Sequence, residues 1–93
     1  MKVTYKKAEG QLDILEGSEG KYAFISEVYV PPRLRNRGYA TGLLREMIAL
    51  AEQEGCKYVC LYCMIENITA LLLYLNNGFK PCGLALRLGL DAK

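Results

Sequence analysis

The chain has 93 residues, 52% of them hydrophobic and 24% charged, which excludes a charge-rich disordered chain and accommodates one domain but not two. Its net charge of +2 and pI near 8.4 are too mild to demand a polyanionic partner, because nucleic-acid-binding domains usually have a pI above about 9. The longest apolar run, Ile68 to Leu75, is too short to span a membrane, and no secretory signal core follows Met1 to Lys7, so we expect a cytoplasmic protein.

Two antiparallel strands are predicted in the first third of the chain. Apolar and polar residues alternate there, which is typical of strands with one buried face. The apolar positions are Val3, Tyr5, Leu12 and Ile14. Glu9-Gly10 lies between the two pairs and predicts the hairpin turn, and a loop over residues 16–20 follows the second strand.

A strand, a helix and another strand are predicted next, over Tyr22 to Val30, Thr41 to Glu54 and Lys57 to Ile65. The first of these strands is mostly apolar, as expected for a strand covered on both faces, and Pro31-Pro32 ends it because proline gives no donor to a sheet. Apolar residues in the helix recur with a period of 3.6, and Gly55 ends it. This order predicts a βαβ crossover with its two strands parallel in one sheet.

A second helix and a final strand complete the predicted domain. The helix runs from Ile68 to Asn76, with Asn67 as its cap and Asn77-Gly78 at its end. Leucine alternates from Leu84 to Leu90, as in a strand. The predicted fold class is therefore α+β, a mixed sheet with a central βαβ crossover and two main helices, in one domain over residues 1–93.

The cysteines, in a chain without a secretion signal, are expected to be reduced and buried. They are Cys56, Cys60, Cys63 and Cys82. The CxxC pair Cys60 and Cys63 lies in a predicted strand, where residues three apart face opposite sides, so the two thiols should not share a metal ion. The chain has no histidine, the commonest metal ligand and general base, and we expect no metal site.

The connection between the first strand of the crossover and its helix predicts an anion site. Backbone N–H groups of the first helical turn have no partner within the helix, and the helix dipole favours negative charge there. Gly38 leaves room for a phosphate, and the small residues Ala40 and Gly42 do not obstruct the edge of the predicted anion site. Further attraction comes from Arg33, Arg35 and Arg37. A solvated polar turn is the alternative. The position of this connection after a buried strand and before a helix instead favours a phosphate or pyrophosphate ligand.

Two motifs are present in this part of the chain. The first is Arg35-x-x-Gly38-x-Ala40, and the second consists of Asn67, Ala70, Leu73, Tyr74, Gly78 and Phe79. They resemble the pyrophosphate loop, Gln/Arg-x-x-Gly-x-Gly/Ala, and a second pattern, Asn-x-x-Ala-x-x-Leu-Tyr-x-x-x-Gly-Phe, of the GNAT superfamily of acetyl-coenzyme A-dependent N-acyltransferases. The resemblance covers roughly Tyr22 to Phe79.

The resemblance implies acetyl-coenzyme A (acetyl-CoA) as cosubstrate. In the family the two parallel strands splay apart around the pantetheine arm, which bonds to backbone groups of the first strand, while the loop holds the pyrophosphate. Asn67 is similar to the residue that anchors the arm from the second strand. The residues expected to bind the cosubstrate are Val28, Tyr29, Val30, Arg35, Asn36, Arg37, Gly38, Tyr39, Ala40, Thr41, Asn67 and Tyr74.

The implied activity is transfer of an acetyl group to a primary amine by direct attack. Tyr74, about two helical turns after Asn67, resembles the tyrosine that protonates the departing thiolate, with aromatic packing as the alternative role. Glu27 is the only acid inside a predicted strand and is the candidate general base, because burial there would raise its pKa. Its alternative role is that of a charged edge residue or of a helix-facing ion pair. Glu66 is a second candidate, and Tyr62 occupies a position where some relatives have a catalytic glutamate.

From the resemblance we expect this domain to lack the strand and two helices that usually precede the hairpin region in the family. We therefore expect an open acceptor site for a small-molecule or peptide amine. The apolar face from Leu84 to Leu90 favours pairing with a second copy, and so a homodimer. A non-catalytic acyl-CoA-binding module is the alternative function, and a nucleic-acid patch formed by the loop arginines is the weakest hypothesis.

Overall fold

The computed structural model describes residues 1–90 and consists of one four-stranded sheet and two α-helices. The strands are β1 Lys2–Tyr5, β2 Ala8–Gly17, β3 Gly20–Tyr29 and β4 Val59–Leu61, and the helices are α1 Tyr39–Gln53 and α2 Ile68–Asn76. The sheet order is β1-β2-β3-β4, antiparallel except that β4 runs parallel to β3. The predicted mixed sheet with a central crossover is confirmed, while the last three residues of the predicted domain lie outside the described residues.

The core forms between one face of the sheet and α1. Alternation along the strands and the 3.6-residue period of α1 bring apolar side chains of both elements together. The buried set comprises Val3, Ala8, Leu12, Ala23, Ile25, Val30, Leu43, Leu44, Met47 and Ala51. Gly10 is part of this contact, because a side chain there would overlap the terminal methyl of Met47.

The first hairpin turns at a different place from the predicted one. β1 ends at Tyr5 and β2 begins at Ala8, so the turn lies at Lys6 and Lys7, and Lys6 has a φ of 55°. The predicted turn at Glu9-Gly10 is wrong, since both residues lie inside β2. Gly10 resembles a turn residue in the sequence, but its small size serves the approach of α1 to the sheet.

The parallel pairing of β3 and β4 is shorter than predicted. The strand predicted over Lys57 to Ile65 spans only Val59–Leu61, and it pairs with residues 23–25 of β3. Immediately beyond this pairing β3 carries a bulge, where Glu27 has a φ of 54° and the register with β2 shifts by one residue. A bulge bends its strand. The end of β3, residues 26–29, consequently has no strand beside it on the β4 side among residues 1–90.

The second face of the sheet is not covered by a helix of the described chain, contrary to the expectation for a strand buried on both faces. It carries aromatic pairs between β3 and the β4 region instead. Tyr22 stacks on Tyr58 with ring centroids 5.1 Å apart, and Phe24 meets Tyr62 edge-on at 5.4 Å. The apolar composition of β3 therefore reflects α1 on one face and aromatic pairing on the other.

The predicted boundaries of the second helix are confirmed, whereas the predicted final strand is wrong. The Oδ1 atom of Asn67 accepts a hydrogen bond from the N–H of Ala70 at 3.4 Å and caps α2. Residues 77–90 contain no helix or strand. The alternating leucines of this segment are largely exposed, because no neighbouring strand pairs with it within residues 1–90.

Candidate functional site

A narrow apolar cleft, too small in this structure to hold a water molecule, brings together three elements that are far apart in the sequence. Val28 of β3, Ala40 in the first turn of α1 and Tyr74 of α2 all line it. The remaining lining residues are Leu43, Leu44, Met47 and Leu73, which sequence analysis did not single out for the site. The cleft lies where β3 has left β4, so the end of β3, the first turn of α1 and the Tyr74 side chain of α2 adjoin one another.

The loop before α1 is braced by one of the predicted binding residues. The Nε atom of Arg35 donates a hydrogen bond to the carbonyl of Val30 at 2.9 Å, and its guanidinium lies 6.0 Å from the ring centroid of Tyr29. The Arg35 N–H is also engaged, at 3.3 Å from the carbonyl of Pro32. Arg35 therefore ties the loop to the end of β3, an arrangement that engages its own N–H and one lone pair of the Val30 carbonyl.

Backbone N–H groups without a helical acceptor follow Arg35. Asn36 and Gly38 have φ values of 64° and 81°, and left-handed residues of this kind are typical of loops whose amides form an anion-binding concavity. The first bond inside α1 runs from the N–H of Gly42 to the carbonyl of Gly38, so the N–H groups of the preceding turn have no helical acceptor. They belong to Tyr39, Ala40 and Thr41. No atom lies within 4 Å of the position of a Gly38 side chain. The chemistry of this cradle fits a diphosphate.

A lysine that sequence analysis missed stands beside this cradle. The Nζ atom of Lys6 lies 5.4 Å from the ring centroid of Tyr39 and 5.6 Å from that of Tyr5. Arg37 is exposed on the loop itself, and within residues 1–90 neither Lys6 nor Arg37 has an ion-pair partner. Positive charge at this site therefore comes both from the turn between β1 and β2 and from the loop before α1. The Lys6 contact joins residues 33 positions apart, which no local pattern signals.

Tyr74 lies half-buried at the opposite wall of the cleft. Its ring meets Phe79 edge-on at 5.9 Å, which explains why both residues belong to one motif. Burial, followed by the nearby Cys63 thiol group, raises the pKa of the Tyr74 phenol above its usual value of about 10. Its hydroxyl makes no hydrogen bond to another described residue, and no buried side-chain oxygen lacks a partner, so the hydroxyl is reachable from outside.

Asn67 is exposed at the start of α2, between the β4 region and Tyr74. Its Oδ1 atom serves as the helix cap, which leaves its amide NH₂ group as a donor. The sequence predicted both a cap and a ligand contact for this residue. The cap is confirmed, and the ligand contact stays a prediction.

The expected burial of Glu27 is wrong. Its side chain is exposed and, with Lys2, Glu9, Gln11 and Tyr29, lines a depression on the sheet face opposite α1. The bulge is the physical cause, because the extra residue in β3 leaves Val28 facing the core and turns Glu27 away from it. Glu27 and the cleft-lining Val28 are nevertheless neighbours along the chain.

The cysteines are less buried than expected. Cys56, Cys60 and Cys63 are partly buried and Cys82 is exposed, and none of the four forms a disulfide. Burial, and then Cys82, raises the pKa of the Cys60 thiol, which lowers its thiolate fraction at neutral pH. In the part of the chain that the structure describes, no three Cys, Asp or Glu side chains are grouped to hold a metal ion, and no helix is long and apolar enough to cross a membrane.

Residues 4–79 match the Acetyltransferase (GNAT) family. The GCN5-related N-acetyltransferase 4, chloroplastic, of Arabidopsis thaliana is 36% identical over 58 residues, which cover 62% of this chain and 20% of that protein. The chain thus spans about a fifth of the length of this curated relative.

Solved structures match most of the described fold. A candidate acetyl transferase of Pyrococcus furiosus has a TM-score of 0.82 at 24% identity, covering 90% of this chain and 57% of that one. A predicted acetyltransferase of Clostridium acetobutylicum, solved with acetyl-CoA, has a TM-score of 0.71 at 22% identity, covering 89% of this chain and 56% of that one. At these identities the likeness shows the fold, and it includes the sheet, the crossover and both helices.

Proposed function

The chain belongs to the acetyltransferase (GNAT) family, and from this we propose that it is an N-acetyltransferase that moves an acetyl group from acetyl-CoA to a primary amine. The observation that carries the proposal is the cleft lined by Val28, Ala40 and Tyr74. It combines an unpaired strand edge, the amides of a helix N-terminus and a protonated phenol. These three features suit, in turn, a pantetheine arm, a diphosphate and a departing thiolate.

The proposed placement of acetyl-CoA follows from charge and polarity. The diphosphate would lie on the amides of residues 36–41, with Lys6 and Arg37 adding positive charge. The arm would bond to backbone groups of residues 28–30 that β4 leaves unpaired, and to the amide NH₂ of Asn67. The acetyl-CoA in the related Clostridium acetobutylicum structure supports this cosubstrate.

The proposed reaction needs one bond to form and one to break. The neutral amine attacks the thioester carbonyl carbon, a carbon–nitrogen bond forms, and the carbon–sulfur bond breaks. The sulfur leaves as a thiolate and takes the proton of the Tyr74 hydroxyl, which solvent then restores. The raised pKa of Tyr74 supports this role, because the phenol stays protonated at neutral pH until the thiolate forms.

We propose that the proton of the amine passes to Glu27. Its carboxylate is exposed beside Val28 and has no ion-pair or hydrogen-bond partner within residues 1–90. Because the Glu27 side chain faces away from the cleft, a water molecule would carry the proton between them. The uncovered sheet face on that side leaves space for a small-molecule or peptide amine.

A non-catalytic acyl-CoA-binding module is the second candidate. The exposure of Glu27 favours it, because this side chain faces away from the cleft in which the thioester would lie. This candidate shares the diphosphate cradle and lacks only the chemical step.

The proposal is tested by calorimetric titration with CoA of the wild type, Gly38→Glu and Gly55→Glu. Gly38 and Gly55 have φ values of 81° and 79°, and neither has an atom within 4 Å of its side-chain position, but they lie at opposite ends of α1. The two substitutions therefore impose the same backbone strain and add the same charge. We expect Gly38→Glu to weaken CoA binding by at least about 10-fold and Gly55→Glu to leave it unchanged.

Two results would count against the proposal. If the wild type does not bind CoA, both candidate functions fail. If both variants weaken binding equally, the diphosphate does not lie at the N-terminus of α1, and the effect reports backbone strain instead.

A further inference from the structure

Helix α2 has an apolar outer stripe that nothing in the described chain covers. Ile68, Leu72 and Leu75 recur at i, i+4 and i+7, which places them on one side of the helix, and all three are exposed. The opposite side holds Leu73 and Tyr74 in the cleft. Not one of the nine residues of α2 is fully buried, although most are apolar. A helix that is apolar on all sides is normally buried on all sides.

A second uncovered apolar surface lies in the segment after α2. Leu84, Leu86 and Leu88 are 84%, 86% and 83% exposed. The segment is joined to the loop before α2 by Arg87, whose guanidinium lies 3.8 Å from the sulfur of Met64. Met64 and the neighbouring Ile65 are themselves exposed at 50% and 80%. The loop before α2, the outer stripe of α2 and the leucine segment together form what we call the α2 patch.

We propose that the α2 patch is the interface through which two copies of this chain form a dimer. A standard interface takes about 800 Å² from each partner, of which about 60%, or roughly 500 Å², is apolar. At roughly 100 Å² of apolar surface for a fully exposed large aliphatic side chain, the eight residues of the patch supply about the same area. A patch of this size is at the upper limit for a soluble monomer.

The charges around the patch also favour a second copy as the occupant. Glu66 is the only charged residue between Tyr58 and Phe79, and Arg87 is the only one between Pro81 and Leu90. They have opposite signs, and neither has an ion-pair partner within residues 1–90. In a two-fold interface a residue contact occurs twice, so Arg87 of each copy can meet Glu66 of the other. The α2 patch is therefore apolar, and its charges are also complementary to those of a second copy.

The dimer is tested by sedimentation velocity and light scattering over a range of concentrations up to about 100 µM. We expect the wild type to be a dimer and Leu75→Asp and Leu86→Asp to be monomers. Leu15→Asp is the matched control, because Leu15 is 41% exposed in β2, outside the patch, and Leu75 is 40% exposed. Leu86 lies outside any helix or strand, so its substitution leaves the fold intact even if Leu75→Asp disturbs α2.

Charge reversal tests the register of the interface. Glu66→Arg and Arg87→Glu should each weaken the dimer by about 10-fold or more, and the double variant should recover most of the loss. Any of four results would overturn the proposal. The wild type could be monomeric or assemble without a defined stoichiometry, Leu15→Asp could disrupt the dimer equally, or the double variant could be no better than the single ones. None of these measurements depends on acetyl-CoA or on catalysis.

Discussion

Among single residues, Tyr74 has the environment most closely matched to a chemical task. Its ring lies between the apolar cleft and Phe79, so the charged phenolate is disfavoured and the pKa is raised. An acid that protonates a thiolate must remain protonated until the thiolate forms. The same burial therefore stabilises α2 against the core and keeps the proton in place.

Replacing the Tyr74 hydroxyl tests its role directly. We expect Tyr74→Phe to keep CoA affinity and to lower turnover by roughly 10²-fold, since a general acid contributes about 10² to 10⁴. Thiol release from acetyl-CoA in the presence of an amine panel measures turnover. Tyr22→Phe, which removes a hydroxyl on the far face of the sheet, is the control. Equal turnover in Tyr74→Phe and the wild type would remove Tyr74 from the mechanism.

The raised pKa of Tyr74 also predicts how stability depends on alkaline pH. The folded state holds this proton more tightly than the unfolded state, so the associated stability is present below about pH 10 and is lost as pH rises above it. The free energy of unfolding should therefore fall more steeply above pH 10 in the wild type than in Tyr74→Phe. Urea denaturation of both proteins at pH 8 and at several values above 10 measures the difference. Parallel curves would show that the phenol titrates alike in both states.

Among the secondary structure elements, the placement of α1 depends on glycines that contact the sheet. A side chain at Gly42 would overlap the ring of Tyr5, and one at Gly10 would overlap Met47. These contacts allow the first two strands to approach α1 closely. They also fix the distance of the α1 N-terminus, and hence of the proposed diphosphate site, from the end of β3.

The contact between Gly42 and Tyr5 predicts a stability change opposite to helix propensity. Alanine would normally favour a helix over glycine by about 1 kcal/mol, but the overlap should make Gly42→Ala destabilising by roughly 1–3 kcal/mol. Chemical denaturation measures the change. Adding Tyr5→Ala should recover part of the loss in a double-mutant cycle, and Gly83→Ala, where no atom is within 4 Å, should change little. A stabilising Gly42→Ala would mean that Tyr5 moves freely.

In the molecule as a whole, the proposed ligand cleft is built from elements that hold one another weakly. Helix α2 has no fully buried residue, and β4 has only three residues paired to β3. A ligand that spans β3, α1 and α2 would join these parts in one contact. The binding free energy of such a ligand adds to the stability of the folded state.

Acetyl-CoA should accordingly raise the melting temperature of the whole domain. At 100 times the Kd the added stability is about 2.7 kcal/mol, which for a domain of this size corresponds to roughly 10–20 °C. Differential scanning calorimetry with and without acetyl-CoA checks the shift. An enzyme would also release thiol above background with at least one amine, whereas a binding module would show the shift alone. No shift at saturating acetyl-CoA would contradict both functions.

Local patterns determined much of this protein. The period of 3.6 residues predicted α1, the Asn67 cap and Asn77-Gly78 predicted the limits of α2, and the chain order of strand, helix and strand predicted the parallel crossover. The loop before α1 is predictable for the same reason, because a helix N-terminus and its unpaired amides arise from neighbouring residues. These features depend on contacts within a few positions of the chain.

Tertiary structure alone decided the features that depend on distant residues. Gly10 looks like a turn in the sequence but faces Met47, and Glu27 looks buried but is turned outward by a bulge whose partner is β2. The Lys6 contact with Tyr39 and the cleft that joins Val28 to Tyr74 likewise depend on packing between elements. Alternating leucines from Leu84 onward predict a strand only if a neighbour exists to pair with them, because a strand obtains its hydrogen bonds from another segment and a helix obtains them from itself.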